Sequence, residues 1–332
     1  MKKLKFGIVG AGGIAQAYAQ AFNESTCCDL VAIADVREEA ATALAEITGG
    51  KSYSDYRELA NVELDAVIVA TPPVSHPEIA CFFMNLGTPV LCEKPLCLSV
   101  AEAETMISTA AANNVLFTMA SKFRYCDDVI KAKGILASGT LGDVLQFENG
   151  FTAKVDMSKR WNSDAAMSGG GVLIDNGTHS VDIIRYFLGS IDSVLVVDAG
   201  GTQGLPVDEN VKMFAKTTGN VTASVDLTWG INKELPYFIS IYGTNGTLHI
   251  GWRESKYKVN SSPDWTVFGS GYDKVGSFKG KIENFSHALQ GQEELFIKPA
   301  DALASVQVID AAYKSMRQNL WQPVVEKSQA AN

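Results

Sequence analysis

The beginning of the chain limits its possible folds more than any other segment. Leu4 to Val9 is apolar enough for a buried strand, and Gly10-Ala11-Gly12-Gly13-Ile14-Ala15 follows at once, ahead of an Ala-rich stretch that reads as a helix to about Asn23. A G-x-G-x-x-A turn between strand and helix serves one geometry. Gly10 permits the tight turn, Gly12 lets the backbone approach a pyrophosphate, and small Ala15 lets helix pack on strand. The free N–H groups and positive end of that helix then hold the phosphates. A second strand, Leu30 to Ala34, ends at Asp35, 20 residues past Ala15. A carboxylate at that distance meets the ribose hydroxyls of a dinucleotide and repels a 2′-phosphate, which favours NAD. Arg37 can accept that phosphate, so NADP stays possible, and Asp35 can alternatively cap a helix starting near Arg37.

Strands and helices keep alternating. Ser52-Tyr53 reads as a short strand, and Asp65 to Ala70 as a longer one ending in Thr71-Pro72-Pro73. A helix from Ser75 or His76 to about Leu86 precedes the strand that closes on Val90-Leu91-Cys92. Ser99 and Glu102 form a capping box for a helix to Asn113, and Leu116 to Met119 is the next strand. This alternation predicts a doubly wound parallel sheet. Ligands of such sheets gather beyond the carboxyl ends of strands, where Glu93-Lys94-Pro95 stands. Lys94 there can face both a cofactor and a substrate; the alternative is a surface lysine in a turn fixed by Pro95. His76, at a helix start beyond a strand end, either lines the nicotinamide pocket or is a solvated helix-capping residue.

From Phe123 the pattern changes. A helix from Asp127 to Ala137 leads into a strand from Val144 to Phe151, then a polar, irregular stretch with Arg160 and Trp161. After Gly169-Gly170-Gly171, apolar positions at Leu173, Ile174, Val181, Ile184 and 186–188 suit a helix ending near Gly189. Asp175, His179 and Asp182 share one face of it. A carboxylate beside an imidazole orients it and raises its basicity, which suits a proton shuttle; a buried pair whose members satisfy each other structurally is the other reading. Segments 193–199, 210–217, 221–229, 236–243 and 247–251 read as strands, with Asn245-Gly246 as a hairpin turn. Helices from about Ile282 and from Asp301 to Leu320 close the chain, and Glu326 to Asn332 reads as a disordered tail. The predicted architecture is an α/β Rossmann domain over 1–122, then an α+β domain over 123–325 with a large, mostly antiparallel open sheet, whose C-terminal helix can pack back on the first domain. The sheet's free face, with residues such as Trp229 and Tyr242, invites cover by a second subunit, giving a homodimer or homotetramer.

Composition closes other routes. With 332 residues, two domains are the expected organisation. A balance of 28 basic to 37 acidic residues, net −9, repels nucleic acid. Met1-Lys2-Lys3 imitates the charged start of a signal peptide, but glycines from Gly7 onward interrupt the apolar stretch a signal needs. No 18 apolar residues run together, so no membrane span is expected. The six cysteines match no zinc pattern. No metal site is expected, and reduced, buried thiols suit a cytoplasmic protein.

The chain resembles the glucose–fructose oxidoreductase, inositol dehydrogenase and rhizopine catabolism family (Gfo/Idh/MocA) over nearly its whole length. The marks are Gly10 to Ala15, Ala70-Thr71-Pro72-Pro73 with His76, Glu93-Lys94-Pro95, Gly169 to His179, and Tyr242 to Leu248; Asp301 to Ser315 looks like the family's closing helix. The resemblance implies an NAD(P)-dependent oxidoreductase acting on a sugar, cyclitol or related polyol held between two domains. It puts Lys94, Asp175 and His179 on catalytic positions, and cofactor contacts at Gly10, Gly12, Gly13, Ile14, Asp35, Arg37, Thr71, Pro72, His76, Glu93 and Lys94. Arg124, Arg160 and Trp161 become candidate substrate contacts, and a cis bond is implied between Lys94 and Pro95. Either His179 or Lys94 can serve as proton acceptor. A non-catalytic NAD-binding sensor or scaffold, or a glycoside-modifying enzyme using transient oxidation, are the alternatives.

Overall fold

The computed structural model describes residues 3–325. The expected tail, Glu326 to Asn332, and Met1-Lys2 lie outside the described residues. The chain divides into two compact units: one runs through Tyr125 and takes up Lys274–Leu303, the other holds Cys126–Asp273 and the chain from Ala304.

In the first unit, β1 (Leu4–Val9), α1 (Gly13–Glu24), β2 (Cys28–Ala34), α2 (Glu38–Thr48) and β3 (Lys51–Tyr53) make one half of the sheet. The other half is β4 (Ala66–Val69), α3 (His76–Asn85), β5 (Val90–Glu93), α4 (Val100–Ala112) and β6 (Phe117–Ala120). The order is β3-β2-β1-β4-β5-β6, all parallel, so the carboxyl ends of all six strands share one edge. Strands β4, β5 and β6 are buried at every position, which is why they read as largely apolar runs, with Glu93 and Thr118 the polar exceptions. The capping box at α4 is open: Ser99 Oγ accepts from the Glu102 N–H at 3.2 Å, but the Glu102 carboxylate reaches past the cap to the Leu98 N–H at 3.0 Å.

The second unit contains α5 (Asp127–Ala137), β7 (Val144–Thr152), α6 (Ala165–Ser168), α7 (Val172–Leu188), β8 (Ile191–Asp198), β9 (Asn210–Thr217) and β10 (Thr222–Thr228). Then come β11 (Tyr237–Gly243), β12 (Gly246–Gly251), β13 (Ser255–Val259) and β14 (Thr266–Gly269). The nine-stranded sheet runs β14-β13-β12-β11-β7-β10-β9-β8-β15, where β15 is Gln322–Pro323. Every pairing is antiparallel except β7 with β10. α7 packs on β7, β9 and β10, and along β9 the buried Val211, Met213 and Ala215 alternate with exposed Lys212, Phe214 and Lys216. One sheet face is therefore core and the other is open. Trp229 does not belong to the open face: it stands past the end of β10 and is 4% exposed.

Two local details of this sheet were not legible in the sequence. The Asn245-Gly246 pair closes the expected β11–β12 hairpin, with Gly246 the first residue of β12, but neither residue has a positive φ; Gly246 is needed because a Cβ would come 2.5 Å from Lys258 O. Strands β13 and β14 carry Ser255-Lys256-Tyr257-Lys258 and exposed Val267, too polar to show an apolar period.

α8 (Lys274–Leu289) belongs to the first unit and starts eight residues before the expected Ile282. Its Phe278, Ile282 and Phe285 are at most 1% exposed and join the core of Phe6, Tyr18 and Phe22. Each such side chain contributes about 1.5–3 kcal/mol by burial. α9 (Pro299–Gln318) closes the helical set. Among the described residues no helix is long and apolar enough to cross a membrane.

Candidate active site

The glycine turn is built as its residues require. Gly10 has φ +101°, and a Cβ there would come 2.5 Å from Ala70 O, so the loop passes hard against the end of β4. Around Gly12 and Gly13 an added Cβ would meet nothing within 4 Å, which leaves backbone open to a ligand. The N-cap of α1 is Gly12, without a side-chain cap, so the first-turn N–H groups face outward as donors. A dinucleotide's phosphates fit that arrangement. Asp35 Oδ2 accepts from the Ala11 N–H at 2.7 Å, tying the turn to the end of β2. Its Oδ1 takes the Arg37 N–H at 2.8 Å and Nε at 3.1 Å. Burial pushes the Asp35 carboxyl up, but the Arg37 guanidinium and these N–H donors outweigh it and hold it below its usual value. The N-cap of α2 is Arg37, so Asp35 supports the helix start without capping it.

At the end of β5 the Lys94-Pro95 bond is cis. His76 is fully buried, which sets aside a solvated helix cap. Its Nδ1 lies 3.0 Å from Pro95 O and 3.1 Å from Leu96 O, and its Nε2 lies 2.8 Å from Thr71 O. The ring thus packs between the Thr71-Pro72-Pro73 loop and the lysine corner, its single N–H donating to one side according to the tautomer, and burial depresses its pKa despite those carbonyls. Glu93 is 5% exposed. Its Oε1 accepts from Tyr18 Oη and from Lys281 Nζ, both at 2.7 Å, and its Oε2 accepts from the Lys94 N–H at 3.2 Å. Lys94 itself is half-buried. Lys122, just past β6, has its ammonium drawn down to about 8, by burial first and by repulsion from Lys94 second. Arg124 is buried and turned to Asp301 at 3.3 Å and to Phe296 O, where it fixes the start of α9.

In the second unit, α7 begins where three glycines make room for tight packing. A Cβ on Gly170 would overlap the Tyr313 hydroxyl, and one on Gly171 the Asp208 carbonyl. Asp208 caps the helix from outside: its carboxylate accepts from the Gly171 N–H at 2.9 Å, the Leu173 N–H at 2.7 Å and Tyr313 Oη at 2.9 Å. Burial still leaves its pKa raised. Asp175 follows in the first turn, half-buried, while His179 and Asp182 are 5% and 0% exposed. The His179 ring meets Phe151 of β7 edge-on at 6.0 Å between centroids. Arg160 is exposed and Trp161 is 38% exposed, on the loop after β7. Gln203 ties that loop down, donating to Val155 O at 3.0 Å and accepting from the Met157 N–H at 3.0 Å.

The structure thus places Gly10, Gly12, Gly13, Ile14, Asp35, Arg37, Thr71, Pro72, His76, Glu93 and Lys94 in the first unit, all at or beyond carboxyl ends of its strands. It collects Asp175, His179, Arg160 and Trp161 in the second. Sequence reasoning missed Lys281, Tyr18, Lys122 and Asp208. Lys281 left one signal: it falls on the stripe of Phe278, Ile282 and Phe285, a lysine where the helix period asks for an apolar residue. No group of three His, Cys, Asp or Glu able to hold a metal occurs among the described residues.

Residues 4–121 match the model of an oxidoreductase family with an NAD-binding Rossmann fold, GFO_IDH_MocA, and residues 129–249 match the GFO/IDH/MocA C-terminal domain. Glucose-6-phosphate 3-dehydrogenase of Bacillus subtilis (strain 168) is 33% identical over 190 residues, 56% of this chain and 54% of that protein. The chain thus spans about half the length of that relative. The rhizopine catabolism protein MocA of Rhizobium meliloti is 24% identical over 96% of this chain and 97% of its own. A levoglucosan dehydrogenase in complex with NADH shares the fold, with a TM-score of 0.89 at 20% identity, over 98% of this chain and 100% of that one.

Proposed function

Because the chain belongs to the Gfo/Idh/MocA oxidoreductase family, we propose that it is a nicotinamide-dependent dehydrogenase acting on a hydroxyl or keto carbon of a sugar, cyclitol or related polyol. The observation that carries this reading is the position of Lys94. It stands on the same sheet edge as the Gly10–Ala15 turn, two strands away, which is about 10 Å at the usual strand spacing. An ammonium at that remove from the phosphate-binding turn suits a substrate oxygen better than a phosphate. The nicotinamide, when bound, supplies the hydride chemistry. This chain's residues must handle the proton and the developing oxyanion. His179, oriented by Asp175, is the group to take or return a hydroxyl proton, and Lys94 is the group to hydrogen-bond a substrate oxygen and steady its charge. Arg160 and Trp161, exposed on one loop, are the substrate contacts; Arg124 is committed to Asp301 and is left out of that role.

NAD is the preferred cofactor in this reading. Asp35 faces the glycine turn through the Ala11 N–H and would repel a 2′-phosphate. Arg37 is the counterweight, since 65% of its side chain is exposed and it can swing away from Asp35.

The open face of the nine-stranded sheet supports a homo-oligomer. It exposes Val197, Phe214 and Val267 at 47%, 38% and 57%. Towards the β12 end of the sheet His249 stacks between Tyr237 at 4.4 Å and Trp265 at 5.1 Å. A second copy is the cover that this face fits.

One screen tests the enzymatic reading. Polyols and sugars, including myo-inositol, glucose and glucose 6-phosphate, are offered with NAD and with NADP, and reduced nicotinamide is followed by absorbance. Substrate-dependent reduction is expected, faster with NAD, and Lys94→Ala and His179→Ala should each lower turnover by about 10²–10⁴. NAD binding without reduction across the screen would point to a sensor. A tenfold preference for NADP, about 1.4 kcal/mol, would overturn the part given to Asp35.

A further inference from the structure

Behind the lysine corner lies a buried ion pair that the reaction as proposed does not use. Lys281 is 1% exposed and Glu93 5%. The Lys281 ammonium meets Glu93 Oε1 at 2.7 Å and lies over the rings of Tyr18 at 4.4 Å and Phe278 at 3.9 Å. Tyr18 Oη donates to the same oxygen. Burial pushes the carboxyl up and the ammonium down, yet Lys281 and Tyr18 hold Glu93 below its usual range. A buried pair of this kind seldom stabilises a fold more than apolar side chains of equal volume would. Its use is therefore to be sought in what it holds still.

Glu93 and Lys94 are adjacent, at the last residue of β5 and the first beyond it. Two donors on Oε1 fix the carboxylate, and the other oxygen then takes the Lys94 N–H at 3.2 Å. On the far side of the corner, the Pro95 and Leu96 carbonyls rest on His76. The backbone carrying the Lys94 side chain is thus held before and after that residue, and the cation that holds the near side arrives from α8, 188 residues away in sequence.

We propose that Lys281 is a positioning residue for Lys94, acting through the Glu93 carboxylate. The inference rests on reading Lys94 as the group that meets the substrate oxygen. Lys281 touches no reacting atom. It keeps the corner in one arrangement, so that the Lys94 ammonium is presented at a fixed point beyond β5.

Two variants of the full chain test this, Lys281→Met and the double variant Lys281→Met with Glu93→Gln. The single change strands a buried carboxylate and should lower the melting temperature; the double change removes that charge and should restore most of it. Competitive acetylation, read by peptide mass spectrometry, reports the reactivity of Lys94 against exposed Lys159 without any substrate. The Lys94-to-Lys159 labelling ratio should change by threefold or more in both variants. Turnover with the best substrate of the screen should fall tenfold or more in both, with NAD affinity of Lys281→Met within threefold of the parent. A pair that serves stability alone predicts that labelling and turnover return together with the melting temperature in the double variant, and that result overturns the proposal. So does an unchanged labelling ratio in folded Lys281→Met. Full turnover in Lys94→Ala would instead remove the functional reading, and the labelling ratio would still decide whether Lys281 places Lys94.

Discussion

Lys122 shows what one side chain can cost a fold. Burial and the neighbouring Lys94 draw its ammonium down to about 8 from 10.5, against some help from Glu93. Between those values the unfolded chain holds the proton and the folded chain does not, so stability rises with pH across that window. Below about 8 both states are protonated and the full penalty stands, on the order of 3 kcal/mol. Lys122→Met should therefore stabilise the protein at pH 6.5 by an amount of that order, with the gain shrinking towards pH 10.5. Urea denaturation at both ends of the window reads this directly, and an equal gain at both would show that proton binding has no part in it. At the same scale, the sequence pointed to Lys94, Asp175 and His179 because each sits in a motif whose spacing is local. Arg124 marks the limit of that locality: nothing near it in the sequence announces its partner Asp301, 177 residues on.

Among the elements, α7 carries the candidate proton shuttle, and its N-terminus is set from outside. Asp208 supplies what a side-chain cap would, satisfying the Gly171 and Leu173 N–H groups. Asp208→Ala would leave both donors and the Tyr313 hydroxyl buried without that carboxylate, and should cost about 2–4 kcal/mol in urea denaturation. Gly171→Ala should cost at least as much, since its Cβ has no place beside the Asp208 carbonyl. If either variant melts with the parent, the anchoring of α7 has been misread. The period of 3.6 located α7 to within a residue, because its apolar stripe is long and uninterrupted. The same logic placed the start of α8 late: Lys281 broke the stripe, and the ion pair that makes a lysine acceptable there was invisible.

For the whole molecule, the open sheet face sets the expectation. Exposed Val197 and Phe214 towards one end of the open face, and Val267 with the stacked Tyr237, His249 and Trp265 towards the other, are apolar and aromatic side chains that a second copy would take out of water. Light scattering at micromolar concentration should give a dimer or tetramer, and Phe214→Glu with Trp265→Glu should shift it towards monomer. A monomeric parent would remove the oligomer from the reading. Neither substitution reaches the core side of the sheet, so the variants should keep the parent's secondary structure by circular dichroism.

By itself the sequence determined the two sheets, the parallel pairing of the first through its alternation of elements, the glycine turn with Asp35, and the helix face of Asp175 and His179. These are short-range facts, written in periods of 2 and 3.6 and in turns where only glycine fits. The tertiary structure alone decided that the segment returning to the first unit is Lys274–Leu303, with α8. It also decided that Asp208 caps a helix 35 residues upstream, that His76 is buried against the lysine corner, and that Glu93 turns inward to Lys281. The physical reason is common to all of them. A buried polar group must be satisfied by whatever partner the fold brings near, and no local pattern records which partner that will be.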